Sequence, residues 1–298
     1  MSGDRDLGCA IDEFLFQLLA NGRMRSSVGS YARELVLLRR YLAGRPVGGI
    51  TTSDVSRFLV SPPVRARRDG QEKSVATLNR TKAVIRTFFA WCESTKRTNG
   101  NPAFLVKGSP CTPPLRYMTR PEIRRFLNGI RRSTHKLARR DFALFSTIVY
   151  TGLRLSEAAR ALWGDVDLRH RRLLVRLAKG GGQEVRHIPG RLLHTLVALR
   201  RDAEDVIDLD KWPLFPSRGR DALSSRAVQY RFAFWLARSG MRQRMSVHSL
   251  RHTFATLLYR ATGDLLLVSR ALGHRDIRST LRYAHVEDRR LVQALNRL

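Results

Sequence analysis

Asn101-Pro102, then Gly108-Ser-Pro-Cys-Thr-Pro-Pro114, and directly afterwards Thr119-Arg-Pro-Glu122 decide how this chain is organised. Each proline fixes φ, removes a donor and disfavours helix in the residue before it. Residues 101–118 therefore read as a linker. Thr119-Arg-Pro-Glu122 is a capping box with proline in the first helical turn, so a new domain starts at residue 119. The expected division is a domain over 1–100, a linker over 101–118 and a second domain over 119–298.

Towards the N-terminus the pattern is helical. Residues 9–20, 27–43, 52–60 and 73–95 read as four helices. The last is the clearest, with Val75, Leu78, Ile85, Phe88, Phe89 and Cys92 at helical spacing and Arg80, Lys82 and Arg86 between them. Thr52 or Ser53 can cap the third helix and Ser74 the fourth. No strand-like alternation precedes residue 100, so this part is a small helical bundle with basic faces.

Beyond the linker the structure types mix. Helices are expected at 120–131, 136–151 and 155–163. Arg172-Leu-Leu-Val-Arg-Leu177 and Glu184-Val-Arg-His-Ile188 read as two strands joined through Lys179-Gly-Gly-Gly182, whose glycines permit a tight hairpin. Helices follow at about 190–205, 224–239, 248–261, 264–272 and 287–297. The fold class is mainly α with a small β-hairpin or sheet (α+β).

Charge narrows the class of partner. The 298 residues carry 55 Lys+Arg against 25 Asp+Glu, a net +30. Residues 1–112 contribute 18 − 9 = +9 and residues 113–298 contribute 37 − 16 = +21, so both halves are basic rather than one tail. GC-rich coding accounts for 48 Arg against 7 Lys, but not for the imbalance. Such a surface attracts phosphates by releasing their condensed counterions, which points to nucleic acid. No run of eighteen apolar residues predicts a membrane span, and the N-terminus has no secretory pattern. Cys9, Cys92 and Cys111 form no CxxC and cannot all pair, as suits a reducing compartment. The expected location is the cytoplasm, in association with the nucleoid.

Several chemistries are disfavoured. There is no GxxxxGK[ST] loop. His248-Ser-Leu-Arg-His252 spaces two histidines as a zinc helix does, but Ser249 stands where the catalytic Glu belongs. No close carboxylate cluster suggests Mg²⁺, so neither metal nor cofactor is expected. What remains is Arg154 at a helix start, Lys179 at the hairpin, His248 and Arg251 on one helical face, His274 after Leu272-Gly273, and Tyr283. An arginine beside a helix N-terminus suits phosphate capture. Taken singly, each of these residues has a structural explanation as well.

Their order removes that ambiguity. Thr151-Gly-Leu-Arg-Leu-Ser-Glu157, His248-Ser-Leu-Arg-His-Thr-Phe-Ala-Thr256, Leu272-Gly-His274 and Thr280-Leu-Arg-Tyr-Ala-His285 resemble, in order and spacing, the tyrosine recombinase (phage integrase) family. The resemblance covers residues 119–298 by motif and 9–95 by helical, basic character. In size and layout it is nearest to the simple two-domain Xer-type members. It implies a helical, SAM-like core-binding domain and a catalytic domain with a C-terminal helix. The implied activity is cutting and rejoining DNA through a 3′-phosphotyrosyl intermediate. Tyr283 would be the nucleophile, Arg154 and Arg251 phosphate ligands, and His248 the acceptor or positioner of the tyrosine proton. Lys179 would be the acid for the leaving 5′-oxygen and His274 a further phosphate donor. Glu157 reads as an orienting or capping residue, with His252 and His285 as structural histidines.

The resemblance further implies a tetramer, of one protein or of two homologues, on double-stranded DNA with paired half-sites. Integration, excision and replicon dimer resolution all fit. Leu291, Val292, Leu295 and Leu298 would form the face of a final helix that docks on a neighbouring protomer. Arg80, Lys82 and Arg86 are candidates for contacting DNA. One departure stands out: the turn between Lys179 and Arg186-His-Ile-Pro189 is about two residues longer than the family pattern. The competing readings are a type IB topoisomerase-like or telomere-resolving enzyme, and an inactive DNA-binding relative.

Overall fold

The computed structural model describes residues 6–112, 114–176, 182–203, 206–219, 221–241, 245–274 and 276–284. Lys179, His285 and the expected helix at 287–297 with Leu291, Val292, Leu295 and Leu298 lie outside the described residues. Helix dominates, and the sheet is a single three-stranded antiparallel one among the described residues. The chain divides into two compact units, Met1–Pro113 and Pro114–Leu298.

The first unit is built from α1 (Leu7–Ala20), α2 (Arg25–Tyr41), α3 (Thr52–Val60), α4 (Pro62–Arg65) and α5 (Val75–Ser94). Their apolar stripes close one core in which Phe14, Leu35, Leu38, Phe58, Ile85, Phe88 and Phe89 are buried. Phe14 meets Phe88 edge-on at 5.5 Å, a favoured aromatic geometry. Ser74 Oγ accepts the Thr77 amide at the start of α5, as the sequence suggests. The cap of α3 is Thr51, not Thr52 or Ser53. A reciprocal box needs a carboxylate three residues on, and only Thr51 has one: Asp54 Oδ2 accepts the Thr51 amide at 3.0 Å. The single turn α4 is too short to show periodicity.

The second unit begins with α6 (Arg120–Arg131), where Thr119 and Glu122 form the expected box. Next, α7 (Ala138–Thr151) is buried on nearly all sides and forms the axis of the unit. Around it lie α8 (Leu155–Arg160), α9 (Gly190–Arg201), α10 (Ser225–Arg238) and α11 (Val247–Thr262), followed by α12 (Leu265–Leu272) and α13 (Arg278–Leu281). Asp141, fully buried in α7, ties α10 to the axis by accepting from Arg231 Nε at 2.6 Å and Trp235 Nε1 at 2.7 Å. A buried carboxylate persists only when partnered in this way.

In the sheet, β1 (Val166–Asp167), β2 (Arg172–Arg176) and β3 (Gln183–His187) run antiparallel in the order β1-β2-β3. The register pairs Arg172 with His187 and Arg176 with Gln183. Leu173 and Val175 turn inward from β2, and Arg186 does so from β3. The two-residue β1 carries no alternation a sequence could reveal. Helix α8 stops at Arg160 rather than 163, because Leu162 N donates to Asp165 Oδ2 and starts a 3₁₀ turn at Trp163.

Candidate active site

The site grows out of two chain reversals and one helix between them. Helix α7 ends at Gly152 with φ +66°, a left-handed cap that glycine adopts without strain. Leu153 and Arg154 follow, and Arg154 opens α8. Glu157 holds it twice: Oε2 accepts the Arg154 amide and Oε1 accepts Nη1, both at 2.7 Å. Glu157 therefore both caps the helix and aims the guanidinium.

Arg251 lies on α11 and is 2 % exposed. Its Nη1 donates to Gly152 O at 2.5 Å and its Nη2 to Leu272 O at 2.8 Å. Carbonyls at the ends of α7 and α12 thus hold it, as a cation suits the negative end of a helix. Burial and the neighbouring Arg154 bring its pKa down to about 10, so it stays charged at neutral pH.

The second reversal is the end of α12, where Gly273 has φ +62°. His274 follows, and its Nδ1 shares a hydrogen bond with the buried Thr280 hydroxyl at 2.8 Å. Thr280 sits on α13, and its carbonyl accepts the Tyr283 amide at 2.9 Å. One short turn of helix therefore links His274 to Tyr283. Arg154 Nη2 reaches Gly273 O at 3.5 Å.

Tyr283 is 2 % exposed and packs with Ala255, Val268 and Leu272. Its hydroxyl is 2.8 Å from His252 Nδ1. Burial raises the phenol's pKa, with Arg251 and Arg282 working against that shift. His252 is pushed down to about 3 by burial, then by His248, Arg282, Arg251 and His274. The imidazole is consequently neutral, and in its Nε2-protonated tautomer the phenol donates to Nδ1. His248 meets His252 edge-on at 4.6 Å, and burial followed by Arg251 lowers its pKa too. His274 drops to about 4, from burial, Arg251 and Arg154.

Five of the six expected residues therefore gather in one place: Arg154, His248, Arg251, His274 and Tyr283. Lys179 lies outside the described residues. The histidine on the tyrosine hydroxyl is His252 rather than His248. The i, i+4 spacing of the pair was visible in sequence, but which ring faced Tyr283 depended on how α13 packs. Thr280 was likewise missed, because a threonine in a helical turn carries no chemical signature.

The three cations expected on a DNA face do not form one stripe. Lys82 and Arg86 are one turn apart on α5, while Arg80 lies across the helix from Lys82. Arg80 and Arg86 are exposed; Lys82 Nζ instead donates to Ser109 Oγ at 3.2 Å.

Chemically, this is a set of guanidinium cations and imidazoles around one phenol, suited to an anionic phosphate. Among the described residues, no group of three or more His, Cys, Asp or Glu is placed to hold a metal. No helix among them is long and apolar enough to cross a membrane.

Comparison with known proteins agrees with this chemistry. Residues 116–290 match the model of the phage integrase family, and residues 11–96 match that of the phage integrase N-terminal SAM-like domain. The chain is 31% identical over 277 residues to tyrosine recombinase XerC of Xylella fastidiosa strain 9a5c, covering 93% of this chain and 91% of that one. It is 29% identical over 290 residues to tyrosine recombinase XerC of Alcanivorax borkumensis, covering 95% and 91%. Among solved structures, a Tn1549 transposon integrase in complex with a circular intermediate DNA superposes with TM-score 0.77 at 18% identity, over 97% and 99% of the two chains. XerH bound to a palindromic difH substrate gives 0.74 at 23%, over 93% and 81%. The chain belongs to the phage integrase family. It is a site-specific DNA recombinase, an enzyme that cuts and rejoins DNA strands.

Proposed function

We propose that the gathered residues are the machinery of that reaction, with Tyr283 as nucleophile. Its oxygen attacks a DNA phosphorus as the bond to the 5′-oxygen breaks, leaving a 3′-phosphotyrosyl link and a free 5′-hydroxyl. Arg154 and Arg251 hold the non-bridging oxygens and offset the charge of the pentacoordinate transition state. His274 adds a further hydrogen bond. Lys179 protonates the departing 5′-oxygen, which would otherwise leave as a poor alkoxide. Exchanging one phosphoester for another roughly conserves bond energy, so neither ATP nor a metal ion is required.

The observation that carries this reading is the pairing of Arg251, locked between Gly152 O and Leu272 O, with Tyr283, hydrogen-bonded to a neutral imidazole. At rest His252 is the acceptor for the phenol. His248, edge-on to it and beside Arg251, takes the proton once the tyrosine turns to the phosphate. Tyr283 is buried, so attack requires the α13 segment to move.

In this reading residues 1–100 form the core-binding domain, 101–118 the linker and 119–298 the catalytic domain. The enzyme works as a tetramer, of itself or with a homologue, on duplex DNA carrying paired half-sites. It does so in the cytoplasm, at the nucleoid, with integration, excision or dimer resolution as the outcome. Arg80, Lys82 and Arg86 contribute phosphate contacts, Arg86 most directly because it is exposed and shares a face with Lys82. Contacts of this kind position a protein without reading sequence.

The test traps the intermediate. A duplex selected for tight binding from a random pool is prepared with a 5′-bridging phosphorothiolate and incubated with wild type and Tyr283→Phe. Wild type should give an adduct that survives denaturation, and Tyr283→Phe should bind the duplex equally without one. An adduct with Tyr283→Phe would overturn the assignment.

A further inference from the structure

Gly273 is where three guanidiniums meet. Arg251 donates to the carbonyl before it, and Arg154 reaches its own carbonyl. Arg186 Nη2 lies 2.6 Å from where a Cβ on Gly273 would stand. The first two come from the recombinase motifs. Arg186 comes from β3, at the head of the Arg186-His-Ile-Pro189 stretch after the hairpin, and the resemblance assigns it no chemical role.

Its surroundings point to one. Arg186 is 5 % exposed, and its Nη2 donates to Glu184 Oε2 at 2.5 Å. Its Nε has no hydrogen-bond partner among the described residues. An idle buried donor is costly in a folded protein, and this one borders a cavity of about 350 Å³. Glu184, Val185, Arg186, Arg270, Gly273 and His274 line that cavity. Among these residues the only carboxylate is the one already on Arg186. Its Oε2 is 2.0 Å from the Cβ position of Gly273, so carboxylate and guanidinium share the space a side chain at 273 would fill. Arg186 is also near enough for its charge to act on both Arg251 and His274.

A guanidinium fork binds a carboxylate and a phosphodiester by the same geometry. We infer that Arg186 is a third phosphate-binding cation of this site, held at rest by Glu184 and passed to a DNA backbone phosphate when duplex binds. The inference rests on the proposed DNA-cleaving role of the site. Exchange is favoured over simple addition because phosphate entering the cavity would otherwise face the Glu184 carboxylate at close range. The handover relieves that repulsion and offers the idle Nε an acceptor. A purely structural ion pair, bracing β3 against the Gly273 turn, makes a different prediction. Loss of either partner would then weaken the protein in the same direction.

The experiment uses the full chain and the selected duplex, with affinity read by fluorescence anisotropy and cleavage by the phosphorothiolate adduct. Arg186→Gln should weaken binding about tenfold, the scale of one lost charge-assisted contact. Glu184→Gln should tighten binding by about threefold at fixed salt, and that gain should vanish when Arg186→Gln is also present. Replacing backbone phosphates one at a time by neutral methylphosphonate should reveal one position where Arg186→Gln no longer matters. Three results would overturn the proposal: Arg186→Gln within twofold of wild type, both single variants losing affinity alike, or a Glu184→Gln gain that persists without Arg186. Melting temperatures of each variant separate misfolding from lost contact. If wild type binds but forms no adduct, the cleavage chemistry fails while the affinity series still decides the role of Arg186.

Discussion

Gly152→Ala tests whether the turn that seats Arg251 is a working part of the site. At φ +66° an L residue pays about 1–2 kcal/mol that glycine avoids. The added Cβ would stand 2.4 Å from Phe254 Cδ1, 2.8 Å from Cε1 and 3.1 Å from Leu272 Cδ2. Ordinary carbon contacts begin near about 3.5 Å, so the ring must retreat by about 1 Å or the turn must open. Overpacking of this kind costs about 1–3 kcal/mol, for a combined loss of about 2–5 kcal/mol. Either relief disturbs the reaction. Gly152 O is the acceptor for Arg251 Nη1, and Phe254 packs against the cluster that buries Tyr283. Urea denaturation should show the stability loss, and single-turnover adduct formation should slow by at least about tenfold, because misplaced electrostatic donors lose most of their effect. A stability loss below about 1 kcal/mol would refute the clash. A clear loss with an unchanged adduct rate would refute the link to Arg251.

Other outcomes follow from single features. Asp141→Asn should cost about 3–5 kcal/mol in urea titration, because Arg231 and Trp235 lose a buried anion. A loss below about 1 kcal/mol would mean that the α7–α10 tie is incidental. His252→Leu should leave the Tyr283 hydroxyl unpartnered and loosen α13. Hydrogen exchange at residues 278–284 should speed up, while His248→Leu leaves it unchanged; equal effects would break the distinction between the two rings. His252 and His274 have folded pKa values near 3 and 4, below the ordinary histidine range. The unfolded chain therefore takes protons first, so the stability they support is complete above about pH 6.5 and declines towards pH 4. Allowing for partial exposure, each should contribute about 1 kcal/mol of that decline by pH 5. Thermal melts of a His252→Gln, His274→Gln double variant should fall less steeply over that interval, and an identical slope would show that neither ring is held neutral.

Much of the fold could be read locally. The capping box at Thr119 and Glu122 and the apolar stripe of α5 are short-range patterns, and the structure places them as expected. What escaped was short or decided by neighbours. Single-turn α4 and α13 carry too few residues for a period. The α3 cap moved by one residue because a carboxylate three positions on outweighed the identity of the cap itself.

By itself, the order of motifs pointed, through the family resemblance it carries, to Arg154, His248, Arg251, His274 and Tyr283 as one group, and the structure gathers those five. It did not determine their pairing. That Tyr283 rests on His252, that Thr280 orients His274, and that Arg186 arrives beside Gly273 from another element all depend on contacts 6 to 87 positions apart in sequence. Such contacts exist only once α7, α11, α12 and the sheet have packed. The charge state of the site has the same origin, since burial beside arginines, not the histidines' own basicity, keeps the imidazoles neutral.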